Sequence, residues 1–507
     1  LTRGAWRVWC AATLALYAAS RLAGLTALPM FVDEGLHISW AMNVAQGERL
    51  DQPWRHGRAV QVFTSALLFP WIGESYLWAS RALTAAFGAL TLLAILALAR
   101  RLHDETTALA AGALYVLCPM ALFYDRLAMA DPVMSAFFAL FLVASALAAR
   151  SGSVRAGVLA GFPALLAVLS KASGVLFLFM PIAAWLTLSR PLRRGLRALL
   201  ASLVATFGLC AWPVWRFMEA SRPMAERDVG GRLSGSLGRA ARNLDLLADW
   251  FVEWWTLPLV LLALAGAVGA ALRRDRSDLY LAAAAFLPLG VLVVTATFWY
   301  PRYVLFAAVP GLILAARALQ QLVGWVGARL GIALGPGRHA LLAAAVVLSL
   351  LPAARVDQRL WTDPARAPMP ALERLQFLDG WPSGYGVRES VAFVKDELGR
   401  HPDGLIVVVD SRAHLTTRVA LGVEFRRAGR LRLEDLPLER TDSRALLEQW
   451  ARERSTLVVV SPGPEGRARP SPGAWAPLRA ELALETRKPN GDLCDQVYRV
   501  AAPPAGS

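Results

Sequence analysis

The sequence predicts an α-helical polytopic membrane protein of about eleven transmembrane helices, followed by an extracytoplasmic α/β domain. Three observations predict it. The chain is 56% hydrophobic and only 18% charged over 507 residues, with mean hydropathy +0.44, which is too apolar for an ordinary soluble domain. Apolar runs of roughly the length that crosses a bilayer recur as far as position 356. Beyond Arg355 the chain becomes polar, Pro-rich and Arg-rich.

The expected spans cover approximately 5–28, 76–100, 106–124, 132–149, 155–170, 174–189, 196–216, 250–272, 279–298, 303–323 and 339–356. The first is too long for a signal-peptide core and lacks a clean small-residue cleavage site, so it reads as a signal anchor. The net charge of +15 does not point to a nucleic acid partner, because the basic residues sit in short clusters between apolar runs. Cys10, Cys118, Cys210 and Cys494 show no disulfide framework and no zinc spacing.

Those basic clusters set the orientation. With Arg3 and Arg7 in the cytoplasm, the clusters at Arg100-Arg101, Arg150 and Arg155, Arg190 to Arg197, Arg273 to Arg276, and Arg329 with Arg338 all fall on the cytoplasmic side. The opposite side receives Asp33-Glu34, the segment Tyr124 to Pro132, Lys171, the loop 217–249 and Tyr300 to Tyr303. An odd number of spans then places the tail outside the cytoplasm. The expected division is a transmembrane domain at 1–356 and a soluble extracytoplasmic domain at 357–507, in a multi-pass membrane protein. In the tail, helical spacing at Arg388 to Leu398 and Arg444 to Arg454 alternates with apolar runs at Leu405 to Val409 and Thr456 to Val460, which is an α/β pattern.

Four places could carry chemistry. Asp33 and Glu34 follow the first apolar run, and carboxylates there belong at a membrane face or in a wet cavity. They also suit a helix N-terminus. With His37 and His56 they could hold a divalent cation, although the spacing matches no metal signature. No other cofactor is indicated. Arg126 and Asp131 form the second place. Asp131-Pro132 reads as a helix start, and Arg126 could pair with Asp125 or Asp131 or grip a phosphate. Lys171 is the third. Lysine and arginine total 53, only three of them lysines, and Lys171 alone lies in the membrane region. It could snorkel to the interface or present a point charge to a phosphate. The fourth is Tyr300-Pro301-Arg302-Tyr303, whose tyrosines fit an aromatic belt and whose Arg302 suits an anionic ligand.

These residues in this order resemble the GT-C superfamily of membrane glycosyltransferases, in the bacterial branch near protein O-mannosyltransferases and the lipid A aminoarabinose transferase. The Asp33-Glu34 pair, the run Arg126 to Asp131, Lys171 at an outer helix end and Tyr300 to Tyr303 carry the resemblance. In the tail, Gly380 to Gly386 and Lys488 to Gly491 add to it. One departure is Asp51-Gln52-Pro53-Trp54, where many relatives have His-Pro-Pro.

The resemblance implies a hexosyl or pentosyl transferase. It would move a sugar from a polyprenyl-phosphate donor to a lipid, glycan or protein acceptor, with inversion. Asp33 would be the general base, Glu34 and Asp131 would position hydroxyls, and Arg126, Lys171, Tyr300, Arg302 and His56 would bind substrate. The alternative reading of the same charges is a lipid or glycolipid flippase. A non-catalytic scaffold for the tail would leave Lys171 and Arg126 unexplained.

Overall fold

The computed structural model describes residues 2–226, 236–331, 336–410, 413–438, 440–462 and 478–502. The chain divides into two compact units. One comprises Leu1–Leu25, Asn43–Leu68 and Ala79–Pro370; the other comprises Thr26–Met42, Phe69–Trp78 and Ala371–Ser507. Position 356, the expected boundary, lies inside the helix Pro336–Thr362.

The first unit is helical and membrane-spanning. Among the described residues, six helices are long and apolar enough to cross a bilayer: Tyr76–Leu102, Ala130–Ser151, Leu192–Glu219, Arg276–Thr295, Pro301–Arg329 and Gly337–Thr362. Two bent pairs bring the number to eight if each counts as one span, and Ala59–Trp71, Val154–Ser170 and Ala172–Leu188 are shorter apolar helices. Residues 227–235 of the expected outer loop lie outside the described residues.

The expected spans 155–170 and 174–189 are the shorter helices Val154–Ser170 and Ala172–Leu188 rather than full spans, and three more expected spans change. The run 5–28 is a helix only over Arg3–Leu22 and is not among the six. It stops where Ala23 turns extended and Gly24 takes φ +57°. The run 106–124 is bent by 63° between Glu105–Val116 and Pro119–Asp125. Pro119 lacks the N–H that a continuing helix would offer to the Tyr115 carbonyl. The run 250–272 is bent by 117° between Gly238–Trp255 and Leu257–Arg273. Here Pro258 stands in the first turn of the second helix and Thr256 takes φ +68°.

The first break shows how this unit satisfies polar groups inside itself. Arg21 is fully buried and donates to the Val116 carbonyl at 2.6 Å and the Tyr115 carbonyl at 3.3 Å. These are carbonyls that the Pro119 break releases, and in hydrocarbon each would cost several kcal/mol if left bare. Asp125, also buried, balances the guanidinium charge at 3.5 Å and accepts from Tyr17 and Tyr115, each at 3.0 Å. Close helix contact comes from small residues. Gly157 and Gly161 lie four apart on Val154–Ser170 and face the long helix that begins at Leu192. A Cβ on Gly161 would stand 2.9 Å from the Ala205 Cβ, and one on Gly157 would meet the Ala198 carbonyl oxygen inside contact distance.

The second unit is α/β. Strands β1 (Leu405–Asp410), β2 (Leu431–Leu436), β3 (Thr456–Val460), β4 (Arg479–Arg487) and β5 (Leu493–Ala501) form one sheet in the order β2-β1-β3-β5-β4. β1 runs parallel to β2 and β3; β5 is antiparallel to β3 and β4. β1 and β3 are buried along their whole length, as their unbroken apolar runs require of strands covered on both faces. Leu447 and Trp450 of Thr441–Glu453 cover one face. Val394 of Val387–Arg400 and Leu421 of Leu415–Glu424 cover the other.

The segment carrying Asp33 belongs to this second unit. Val32 donates its N–H to the Pro382 carbonyl at 3.0 Å, and the Phe31 ring lies 4.4 Å from that of Phe377. Gly35 allows close approach to Leu415–Glu424, since a Cβ there would stand 2.6 Å from Val419.

Replacing Gly157 with leucine would force the Ala198 backbone away, and neither helix can yield cheaply. We expect Gly157→Leu to lose about 1–3 kcal/mol, read as a lower unfolding midpoint of the detergent-purified protein. An unchanged midpoint would show that the two helices are not in tight contact at this crossing.

Candidate active site

Asp131 and Lys171 meet in the first unit. Asp131 is the second residue of Ala130–Ser151, with Met129 as the cap, so it is not the capping residue that Asp131-Pro132 predicts. Lys171 ends Val154–Ser170 in extended conformation, φ −160° and ψ 138°, and leads into the tight turn Ala172–Phe177. The extended residue swings its side chain back, and the ammonium donates to the Asp131 carboxylate. Both side chains are buried, at 8% and 2% exposure.

The fourth motif closes over this pair. The Lys171 ammonium stands 3.7 Å from the centre of the Tyr303 ring. Arg302 lies over Tyr300 at 4.5 Å and Tyr303 at 5.6 Å, and the two rings are nearly perpendicular. Cations on aromatic faces gain up to about 2 kcal/mol when desolvated. Three packed rings hold the elements in place: Phe138 of Ala130–Ser151, Phe177 of the turn and Phe306 of Pro301–Ala307, with centroids 4.0 to 5.6 Å apart.

Arg58 is a member that sequence reasoning missed. Its neighbour Gly57 packs against Ala172, the residue that follows Lys171. Gly57 makes this turn with φ +62°, and a Cβ on it would stand 3.5 Å from the Ala172 backbone. The cue was a glycine between two basic residues in an otherwise plain loop. His56 precedes that turn, and burial, then Arg58 and Arg55, push its pKa below the usual histidine value. That shift favours the uncharged ring. The group as a whole is rich in positive charge and lined by aromatic rings, a setting that favours a phosphate.

Arg126 does not pair with either expected acid. Asp125 is engaged by Arg21 and Asp131 by Lys171. Arg126 is the C-cap of Pro119–Asp125, and its guanidinium reaches the other way, donating to the Ala23 and Gly24 carbonyls at 2.8 Å each. In that position it clamps the end of the first helix.

Asp33 and Glu34 stand in the first turn of Val32–Ala45. Glu34 is fully buried and accepts the Phe31 N–H at 3.0 Å, the backward bond of a capping box. Asp33 is half-buried. Among the described residues, Asp33, Glu34 and His37 do not belong to the group of side chains whose ligand atoms converge as a metal site requires; that group is His414, Cys494 and Asp495.

Asp131→Asn keeps the shape of its side chain and removes the charge, leaving a buried ammonium near two arginines. We expect a loss of roughly 3–5 kcal/mol, measured by thermal unfolding in detergent. The double variant Asp131→Asn/Lys171→Met should recover part of it. A double variant no more stable than Asp131→Asn would mean that the pair does not hold these helix ends together.

Residues 62–217 match the family model described as dolichyl-phosphate-mannose-protein mannosyltransferase. No curated protein sequence matches the chain. Among solved structures, ArnT from Cupriavidus metallidurans bound to undecaprenyl phosphate superposes with TM-score 0.60 at 16% identity, over 98% of each chain. The Archaeoglobus fulgidus oligosaccharyltransferase in its apo form superposes with TM-score 0.56 at 12% identity, over 91% of this chain and 70% of that one. The chain has the fold of these GT-C structures, and its residues 62–217 are similar to the mannosyltransferase family model.

Proposed function

We propose that this protein transfers a hexosyl or pentosyl group from a polyprenyl-phosphate donor to a lipid, glycan or protein acceptor at the outer face of a bacterial inner membrane. The observation that carries this reading is the cationic and aromatic group in the membrane unit, in which buried Lys171 and Arg302 lie on the half-buried rings of Tyr300 and Tyr303, with Arg58 on the neighbouring turn. It supplies what a lipid phosphate needs: fixed positive charge, low dielectric and apolar walls. Similarity to a structure bound to undecaprenyl phosphate supports the same ligand class.

In this reaction the bond from the anomeric carbon to the donor phosphate breaks as the acceptor oxygen bonds to the opposite face, inverting the centre. Polyprenyl phosphate leaves with the electron pair, and Lys171, Arg302 and Arg58 stabilise its charge. The acceptor hydroxyl loses its proton to a base. Asp33 takes that role in the proposal, because it is the more exposed member of the acidic pair, whereas the Glu34 carboxylate already holds a backbone N–H. Asp131 keeps Lys171 in place, and Glu34 keeps the helix start that carries Asp33. His56 is proposed to line the donor side as a neutral hydrogen-bonding group. Residues 357–507 are proposed as the core of the periplasmic portion. The grouping of Thr26–Met42 with Ala371–Ser507 in one unit supports a common membrane side for Asp33 and the tail.

The test follows label from a panel of radiolabelled polyprenyl-phosphate sugars into membrane lipids, glycans and proteins. Asp33→Asn is expected to lower turnover by about 10²–10⁴ while donor binding persists. Lys171→Met is expected to weaken donor binding itself. Retention of most activity by Asp33→Asn would assign the base elsewhere. A wild type that binds donor and transfers nothing, but carries it across vesicles, would favour the flippase reading.

A further inference from the structure

The C-terminal unit holds a second cluster, independent of the proposed transfer reaction. His414 caps the helix Leu415–Glu424, and Cys494 and Asp495 open β5. One ligand atom from each lies within 4.8 Å of the others, and all three residues are buried. Around zinc, with bonds of about 2.0 Å to nitrogen or oxygen and 2.3 Å to sulfur, such atoms stand roughly 3.3–3.8 Å apart. Closing on an ion would therefore take side-chain movement of about 1 Å.

Local packing accounts for much of the cluster but not for all of it. Asp495 accepts from Ser390 at 2.9 Å, from Thr417 at 3.0 Å and from Ser461 at 2.5 Å. Thr417 spans both carboxylate oxygens, so a small rotation frees a lone pair. His414 is different. Its buried Nδ1 has no hydrogen-bond partner among the described residues. A ring with a buried, unpartnered nitrogen, grouped with a thiol and a carboxylate, has the donor set of a metal ligand. Burial, and then Asp495, push the Cys494 thiol up to about 12, against the pull of Lys488, which the Ser383 and Tyr385 carbonyls fix at 2.7 Å each, so a bound ion would have to displace the thiol proton.

We propose that His414 Nδ1, the Cys494 sulfur and an Asp495 oxygen bind one divalent transition-metal ion of the zinc class. Mixed nitrogen, sulfur and oxygen ligation suits such an ion and excludes magnesium and calcium, which prefer oxygen ligands alone. The ion would tie the helix Leu415–Glu424 to β5.

Cobalt(II) tests this, because thiolate ligation gives a charge-transfer band that carboxylate or histidine sites elsewhere in the chain lack. Metal-stripped, detergent-purified full-length protein is titrated with cobalt and then with zinc. We expect one cobalt per chain with the band, displaced by zinc. Cys494→Ser should lose the band, and His414→Ala should weaken cobalt binding at least tenfold. His414→Ala removes no hydrogen bond from Asp495, so it keeps the test open if Cys494→Ser does not fold. Wild type that binds no cobalt, binds it without the band, or keeps the band in Cys494→Ser overturns the proposal.

Discussion

The buried ion pair of Lys171 and Asp131 is the constraint on which the membrane unit's site depends. Neither charge is tolerable alone in that setting, and breaking such a pair costs roughly 3–5 kcal/mol. The pair therefore fixes how the end of Val154–Ser170 meets the start of Ala130–Ser151. Once those ends meet, the turn Ala172–Phe177 can place Phe177 against Phe138 and Phe306. Phe306 in turn brings Tyr300 to Tyr303 alongside, so that the Tyr303 ring receives the Lys171 ammonium. A single short ion pair thus organises three chain segments widely separated in sequence. The local excess of positive charge is the property that a phosphate ligand would neutralise.

The same logic recurs where the chain breaks its helices. Pro119 releases carbonyls inside the membrane unit, Arg21 satisfies them, and Asp125 compensates Arg21. Arg126 next to it closes off the end of the first helix. Two adjacent residues, Asp125 and Arg126, face different partners because a helix end separates them. Strongly polar residues in this unit are thus mostly structural, and the group around Lys171 stands apart through its cations seated on aromatic rings.

Much of this was legible in the sequence, for identifiable reasons. Unbroken apolar runs revealed the long helices, and the runs Leu405 to Val409 and Thr456 to Val460 revealed β1 and β3, because strands buried on both faces have no polar alternation to hide them. β2 escaped notice because Arg432, Glu434 and Asp435 at a sheet edge look like a loop. Lys171 stood out against an arginine-rich background, and Arg302 stood out between tyrosines. Arg58 did not, since only the turn at Gly57 brings its segment against Ala172, next to Lys171. The partners of Arg126 were also hidden, because they are backbone carbonyls and leave no trace in side-chain identity. The cluster of His414, Cys494 and Asp495 joins residues about eighty positions apart through the sheet, and no spacing rule anticipates it.

The central claim is that the group around Lys171 holds the phosphate of a lipid-linked sugar donor. The most direct measurement is a cryo-electron microscopy structure of the protein with polyprenyl phosphate bound. The account predicts phosphate density in hydrogen-bond reach of Lys171 and Arg302, with the prenyl chain running along the membrane helices. Phosphate bound elsewhere, with the Lys171 group unengaged, would contradict it.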